Sequence, residues 1–168
     1  MESIQDIAFL IDEGYLFISN ICIGRKKDYF ALIDSLPLNK ESYLADGGGK
    51  NHVALKLFVG DYFKKIGVLK IEYEHLFYGY YPDVMSSDKT IIAECGHTQN
   101  PEKMLVYFQQ GNIKECIQIP YPSYEDNYIR EYSFTANDNL NEFLDFLENK
   151  RRNQLKDIFK KNRKINLL

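Results

Sequence analysis

The sequence predicts an α/β protein with a mixed central sheet, and three observations lead there. The run from Leu69 to Phe77 alternates in polarity with the period of two that a strand requires. Before it, from Asn51 to Ile66, apolar residues recur at spacings of three and four; after it come two short strand patterns, a second helical pattern and one more strand. Finally, a chain of 168 residues that is 45% hydrophobic and 14% aromatic has the size of one domain and ample material for a core, which excludes intrinsic disorder.

In chain order, Ser3-Ile4-Gln5-Asp6 has the form of a helix start, and Ile4, Ile7, Ala8, Ile11 and Tyr15 follow at helical spacing. The spacing predicts a helix from about Ile4 to Tyr15. An apolar stretch, Leu16 to Ile23, leads through Gly24-Arg25-Lys26-Lys27 into a short helical pattern, Tyr29-Phe30-Ile33, stopped by Pro37. Residues 1–49 are therefore expected to form a helical extension. Gly47-Gly48-Gly49 breaks the chain before the helix of Asn51 to Ile66, which places Leu55, Phe58, Val59, Tyr62 and Ile66 on one stripe and is closed by Gly67.

The alternation of Leu69 to Phe77 puts Leu69, Ile71, Tyr73, His75 and Phe77 on one face. A second strand is expected over Tyr80 to Met85, a turn at Ser86 to Lys89, and a third strand, apolar on both faces, over Thr90 to Cys95. Asn100-Pro101 is an N-cap followed by proline at the first helical position, opening a helix that turns Met104, Leu105 and Phe108 inward and ends at Gly111. Ile113 to Ile119 is a fourth strand closed by Pro120-Tyr121-Pro122. From Asn137 or Asp138 onward a long helix carries Leu140, Phe143, Leu144, Leu147, Leu155, Ile158 and Phe159.

The longest apolar stretches fall far short of the roughly 18 residues that a membrane span needs. An acidic N-terminus, MESIQDIAF, is unlike a secretory signal, and three cysteines without CxxC spacing suggest neither a disulfide framework nor a structural zinc site. A cytoplasmic, reducing setting is the expectation. The net charge of -3 is unevenly spread: from Lys150 onward stand eight basic residues and one acid, Asp157, a local +7 that leaves -10 on the rest. Arg151, Arg152, Lys160, Lys161, Arg163 and Lys164 are candidates for gripping nucleic-acid phosphates; a helix docked on its own acidic body, or a solvated helix face, explains the same charges.

The residues that carry chemistry lie in the middle. Pairing the second and third strands as a hairpin sets Asp83 opposite Glu94, two carboxylates at one sheet position. Glu94 sits in an otherwise apolar strand, IIAEC, where an ionised carboxylate needs a partner or a cation. Mg²⁺ or Mn²⁺ takes such oxygen ligands together with water and phosphate oxygens.

The order helix, strand, strand ending in Pro82-Asp83, strand carrying Ala93-Glu94-Cys95, helix and strand resembles the core of the PD-(D/E)XK, or restriction-endonuclease-like, superfamily of metal-dependent nucleases, over about residues 50–120. His52 with Lys56 one turn on, followed by Pro82-Asp83-Val84, is also similar to the His-x-x-x-Lys helix of competence-associated nuclease-like proteins. The resemblance implies that Asp83, Glu94 and the backbone carbonyl of Cys95 hold the metal. The family's lysine belongs two residues after the glutamate, where this chain has Gly96; Lys103, in the first turn of the next helix, is the candidate to replace it. The function implied is metal-dependent hydrolysis of phosphodiester bonds, in DNA more than RNA, with a homodimer allowed. The alternative is a catalytically inactive nuclease fold that binds nucleic acid or serves as an interaction module.

Around this set, His97 is a candidate base or phosphate contact, or else a plain loop residue. His52 and Lys56 could face the metal, with Asn51 and Gln99 nearby, but are read as ordinary exposed positions. His75 is expected to be buried in its strand; of Glu72 and Glu74, on the opposite face, one could join the metal site as an extra carboxylate, but both are read as solvated. Cys95, His97 and Cys116 lack zinc-site spacing, Gly47 to Gly49 lacks the GxxxxGK[ST] pattern, and Tyr121, Tyr124 and Tyr128 could stack on bases.

Overall fold

The computed structural model describes residues 3–37, 49–97, 100–111 and 113–165, with the backbone alone described for 3–6 and 158–165. The elements, in order, are α1 (Ser3–Asp12), β1 (Leu16–Arg25), α2 (Lys26–Ser35), α3 (Lys50–Lys65), β2 (Ile71–Tyr73), β3 (Val84–Ser86), β4 (Ile91–Cys95), α4 (Pro101–Gly111), β5 (Glu115–Ile119), β6 (Tyr128–Ala136) and α5 (Leu140–Ile165). The six strands form one sheet in the order β1-β6-β5-β4-β3-β2. β4 and β5 run parallel, joined through α4, and every other neighbouring pair is antiparallel. The chain is thus α/β with a mixed sheet.

Because strand side chains alternate between faces, the sheet carries a core on each side. One face buries Met85, Ile92 and Cys116 against Leu10 of α1, Tyr107 and Phe108 of α4 and Leu140 of α5. The other buries Val84, Ala93 and Ile117 against Leu55, Val59 and Phe63 of α3 and Tyr29 of α2. At roughly 25 cal/mol per Å² of apolar surface removed from water, these two layers are the main stabilising contribution. α3 lies close on β2: a Cβ added at Gly60 would sit 1.9 Å from the Tyr73 hydroxyl, so any larger residue there would have to displace that ring. Among the described residues no helix is long and apolar enough to cross a membrane.

The ends of the chain depart from expectation. The stretch after α1 is no part of a helical extension; Gly14, at φ +76°, turns the chain into β1, a ten-residue edge strand. Its partner β6 lies in a segment for which the sequence suggested no element, and Leu16 pairs with Ala136. Burial along β1 does not alternate, with Phe17, Ile18 and Ile21 all about half exposed, and this hides the strand from a reading of periodicity.

The first predicted strand is much shorter than its alternation promised. After Tyr73 the chain leaves the sheet: Glu74 and Tyr78 take positive φ, Gly79 follows at +85°, and Phe77 bridges to Tyr80. Consequently His75 is exposed rather than buried and Phe77 crosses to the other core, while Leu69, ahead of the strand's start at Ile71, is fully exposed. The second strand is confined to Val84–Ser86, with Val84 opposite Ala93 and Met85 opposite Ile92. Ser86 ends it and donates to Asp88 Oδ1 at 2.6 Å, while Lys89 at φ +59° makes the turn. On α3, Phe63 takes the buried position and Ile66, at the helix end, is exposed.

Candidate active site

Asp83 stands just before β3 and Glu94 is next to last in β4, and the β3–β4 register carries the two to the same sheet position. Asp83 is 9% exposed and is held from two directions. The backbone N–H of Cys95 donates to its Oδ2 at 2.7 Å, and His52 Nε2 lies 2.9 Å from its Oδ1. With Asp83 ionised, His52 carries its proton on Nε2, and in the neutral ring Nδ1 then accepts from the Tyr121 hydroxyl 3.1 Å away.

α4 supplies the other wall. Asn100 Oδ1 caps it by accepting from the Lys103 N–H at 3.0 Å, which fixes the first turn against the sheet. From that turn Lys103 reaches inward, its Nζ donating to Glu94 Oε2 at 2.7 Å and to the Tyr81 carbonyl at 3.3 Å. Tyr107, one turn further, donates its hydroxyl to Glu94 Oε1 at 3.0 Å. Burial pushes the Glu94 carboxyl up to about 7 and Asp83 adds to the rise, while Lys103 and Tyr107 restrain it. The Tyr107 hydroxyl is raised far beyond its ordinary range by burial and by Glu94.

These groups line a cavity of about 380 Å³, with His52, Asp83, Glu94, Lys103, Tyr107 and Gln118 around it. A further pair adjoins it: Lys56, 5% exposed, donates to Glu74 Oε1 at 2.7 Å. One ligand atom from each of His52, Glu74 and Asp83 lies within 4.8 Å of the others. One carboxylate oxygen from each of Asp83 and Glu74 and one His52 ring nitrogen are thus close enough together that they could hold a metal ion.

Of the residues singled out in the sequence, Asp83, Glu94, Lys103 and Cys95 come together. His97 does not join them through any described hydrogen bond; it is exposed, its ring 5.1 Å from that of Tyr121. His52 and Lys56, read as exposed, are instead half-buried and buried, and Glu74, read as solvated, is Lys56's partner. The signal was present: positions 52, 56, 59 and 63 continue one stripe of α3 that is buried from Ala54 to Phe63. Tyr107 could have been found as the i+4 neighbour of Lys103. Glu74, weighed from the sequence as an extra carboxylate, lies beside Asp83 and His52 where the chain has left the sheet.

Cys95 and Cys116 pack in different cores, on opposite faces of the sheet. Tyr124 and Tyr128 are exposed, and Asn51 uses its carbonyl to accept from Tyr29. Arg151 and Arg152 are exposed on α5, Arg152 pairing with Glu148. Gln99, Gly47 and Gly48 lie outside the described residues, as do the side chains of Lys160, Lys161, Arg163 and Lys164. Comparison with protein-family models, curated proteins and solved structures finds no match to this chain.

Proposed function

We propose that the protein is a metal-dependent nuclease of the PD-(D/E)XK kind, hydrolysing phosphodiester bonds in DNA more readily than in RNA. The observation that carries the reading is the contact of Lys103 Nζ with Glu94 Oε2 at 2.7 Å, in the cavity that also holds Asp83. A first-turn lysine is disfavoured by the helix dipole, and here it is drawn inward to a carboxylate that burial has made hard to ionise. The helix, three-strand meander, helix and parallel strand from α3 to β5 also follow the order of that superfamily's core.

Asp83, Glu94 and the Cys95 carbonyl would hold a divalent cation, and His52 and Glu74 lie close enough to Asp83 to contribute a ligand atom. Mg²⁺ or Mn²⁺, when bound, supplies Lewis acidity toward a phosphoryl group. The chain's own groups do the rest. Water attacks phosphorus in line, a new P–O bond forms as the ester P–O bond breaks, and the water's proton is balanced by the one the leaving alkoxide takes up. Lys103 orients that water and offsets charge growing on the phosphoryl oxygens. Tyr107 and the Cys95 N–H fix Glu94 and Asp83 in place, and the Asp83 contact orients His52.

A second reading, a nuclease fold that binds without cutting, is favoured by Gly96. It takes φ +101°, and a Cβ there would lie 3.1 Å from Tyr121 Cε2, so a lysine at the family's position would be strained and crowded. Cleavage of a panel of linear, branched and single-stranded DNA and RNA, with Mn²⁺, Mg²⁺ or EDTA, separates the two. Metal-dependent cutting that disappears in Asp83→Asn, Glu94→Gln and Lys103→Ala supports the nuclease. Binding of the panel by folded protein without cutting supports the second reading.

A further inference from the structure

Beside the carboxylates runs a second cavity of about 360 Å³ on the same face of the sheet. It shares Asn100, Met104 and Gln118 with the first, so the two adjoin. The second is mainly apolar, walled by Ile7 of α1, Ile18 of β1, Pro101 and Met104 of α4, and Tyr132 and Phe134 of β6. The strand registers show how it is laid out. Glu94 pairs with Gln118, Gln118 with Tyr132, and Tyr132 with Asn20, so one row of polar side chains crosses four strands away from Glu94. The row behind it, Ile92, Cys116, Phe134 and Ile18, is apolar.

Resting on the nuclease reading, we propose that this cleft receives an unpaired nucleobase next to the scissile phosphate, and that the substrate is single-stranded or locally unpaired nucleic acid. Three features select that occupant. Glu94 and Tyr132 stand two strands apart, about 10 Å, the reach from a phosphate to the base of an adjoining nucleotide and not to a second duplex backbone. The cleft offers flat aromatic and thioether surface for a base to stack on, as in single-strand binding sites, and at its mouth an amide, Gln118, whose described partner is only the Cys116 sulfur at 3.9 Å. Beyond the cleft, on the same face of β6 as Tyr132, Arg130 is exposed and lies 3.4 Å from Asn20 Oδ1, where the next phosphate would pass. A duplex keeps its bases stacked inward and cannot fill such a cleft without unpairing.

Binding tests this without requiring cleavage. Fluorescence anisotropy in EDTA at one fixed salt concentration compares a labelled deca-thymidine strand, a deca-uridine strand, an abasic decamer and a hairpin duplex. The wild-type protein is expected to bind the two base-bearing strands about tenfold more tightly than the abasic decamer or the duplex. Ile18→Trp fills the cleft from a half-exposed position and should reduce that preference to twofold or less; Ile21→Trp, on the opposite face of the same strand, should leave it unchanged. Gln118→Ala is the second variant and should lower the preference about threefold. Equal affinity for all four probes, no binding at all, or a preference untouched by both Ile18→Trp and Gln118→Ala would overturn the proposal. Mn²⁺-dependent cutting of the same strands is read separately: cutting with base-independent binding sinks the cleft and leaves the nuclease, whereas base-dependent binding without cutting sinks the nuclease and leaves the cleft.

Discussion

Glu94 and Glu131 make an instructive pair. Both sit on interior strands of one sheet, and burial pushes both carboxyls up to about 7. Their surroundings differ. Glu94 meets a lysine, a tyrosine hydroxyl and a second carboxylate in an open cavity. Glu131, 3% exposed on the opposite face, accepts from Tyr62 at 3.2 Å, has Glu115 as a repelling neighbour, and leaves Oε2 without a hydrogen bond. A raised carboxyl alone is thus no mark of a functional site, because desolvation and a neighbouring acid raise either one; a cation and an open cavity distinguish Glu94.

The largest expected difference is in cleavage. Glu94→Gln or Asp83→Asn should lower metal-dependent cutting by about 1,000-fold, and Lys103→Ala by about 100-fold, whereas Glu131→Gln should stay within about twofold of wild type. A gel assay with Mn²⁺ reads all four, and loss of cutting in Glu131→Gln would end the contrast.

Stability against pH should not share that contrast, since both carboxyls are raised, and Glu131 shows the effect apart from any cleavage. Glu131 binds its proton more tightly in the folded chain, at about 7 against an ordinary 4.5. Its contribution is present below the unfolded value and is lost as pH rises through the folded one. Wild type should therefore lose about 1–3 kcal/mol from this group between pH 4.5 and 8. Glu131→Gln should flatten that part of the curve in urea titrations at each pH. An unchanged curve would mean that Glu131 ionises without cost.

Gly96→Lys puts the family's lysine back in the sequence, and the backbone predicts the result. The left-handed φ and the closeness of Tyr121 should cost about 1–3 kcal/mol, and the double variant Gly96→Lys with Lys103→Ala should not regain cutting. Recovery of activity would show that the loop adapts. Smallest is the tail: replacing Lys160, Lys161, Arg163 and Lys164 by Gln should weaken single-strand binding only a few fold, while the salt slope falls by about 0.7 for each phosphate no longer neutralised. An unchanged slope would assign these charges to a solvated helix face.

What could be read in the sequence was whatever local rules specify. The Asn100-Pro101 start of α4, the amphipathic α3, and the hairpin placing Asp83 against Glu94 depend on residues near one another; Lys103 was singled out because the resemblance called for a lysine near Glu94 and the helix start places one in its first turn. The failures were tertiary. β1 lacks alternation since its edge position leaves both faces partly exposed; β6 was passed over in a polar stretch that hides its inward Ile129, Glu131 and Ser133. His75 was misassigned, because the alternation of 69–77 continues after the chain has left the sheet. His52 and Lys56 looked exposed by residue type, yet their helix stripe runs beneath the strand ends.

The pairing of Leu16 with Ala136 has a temporal side. The strands around Glu94 join neighbours close in sequence, apart from the α4 crossover, so that half of the sheet can assemble from short loops. β1 must wait for a partner more than a hundred residues downstream, and pairings of such separation form slowly. While the chain is still being made, Phe17, Ile18 and Ile21 have no β6 to lie beside, and β1 is then the stretch most open to a chaperone or to the same strand of another nascent chain.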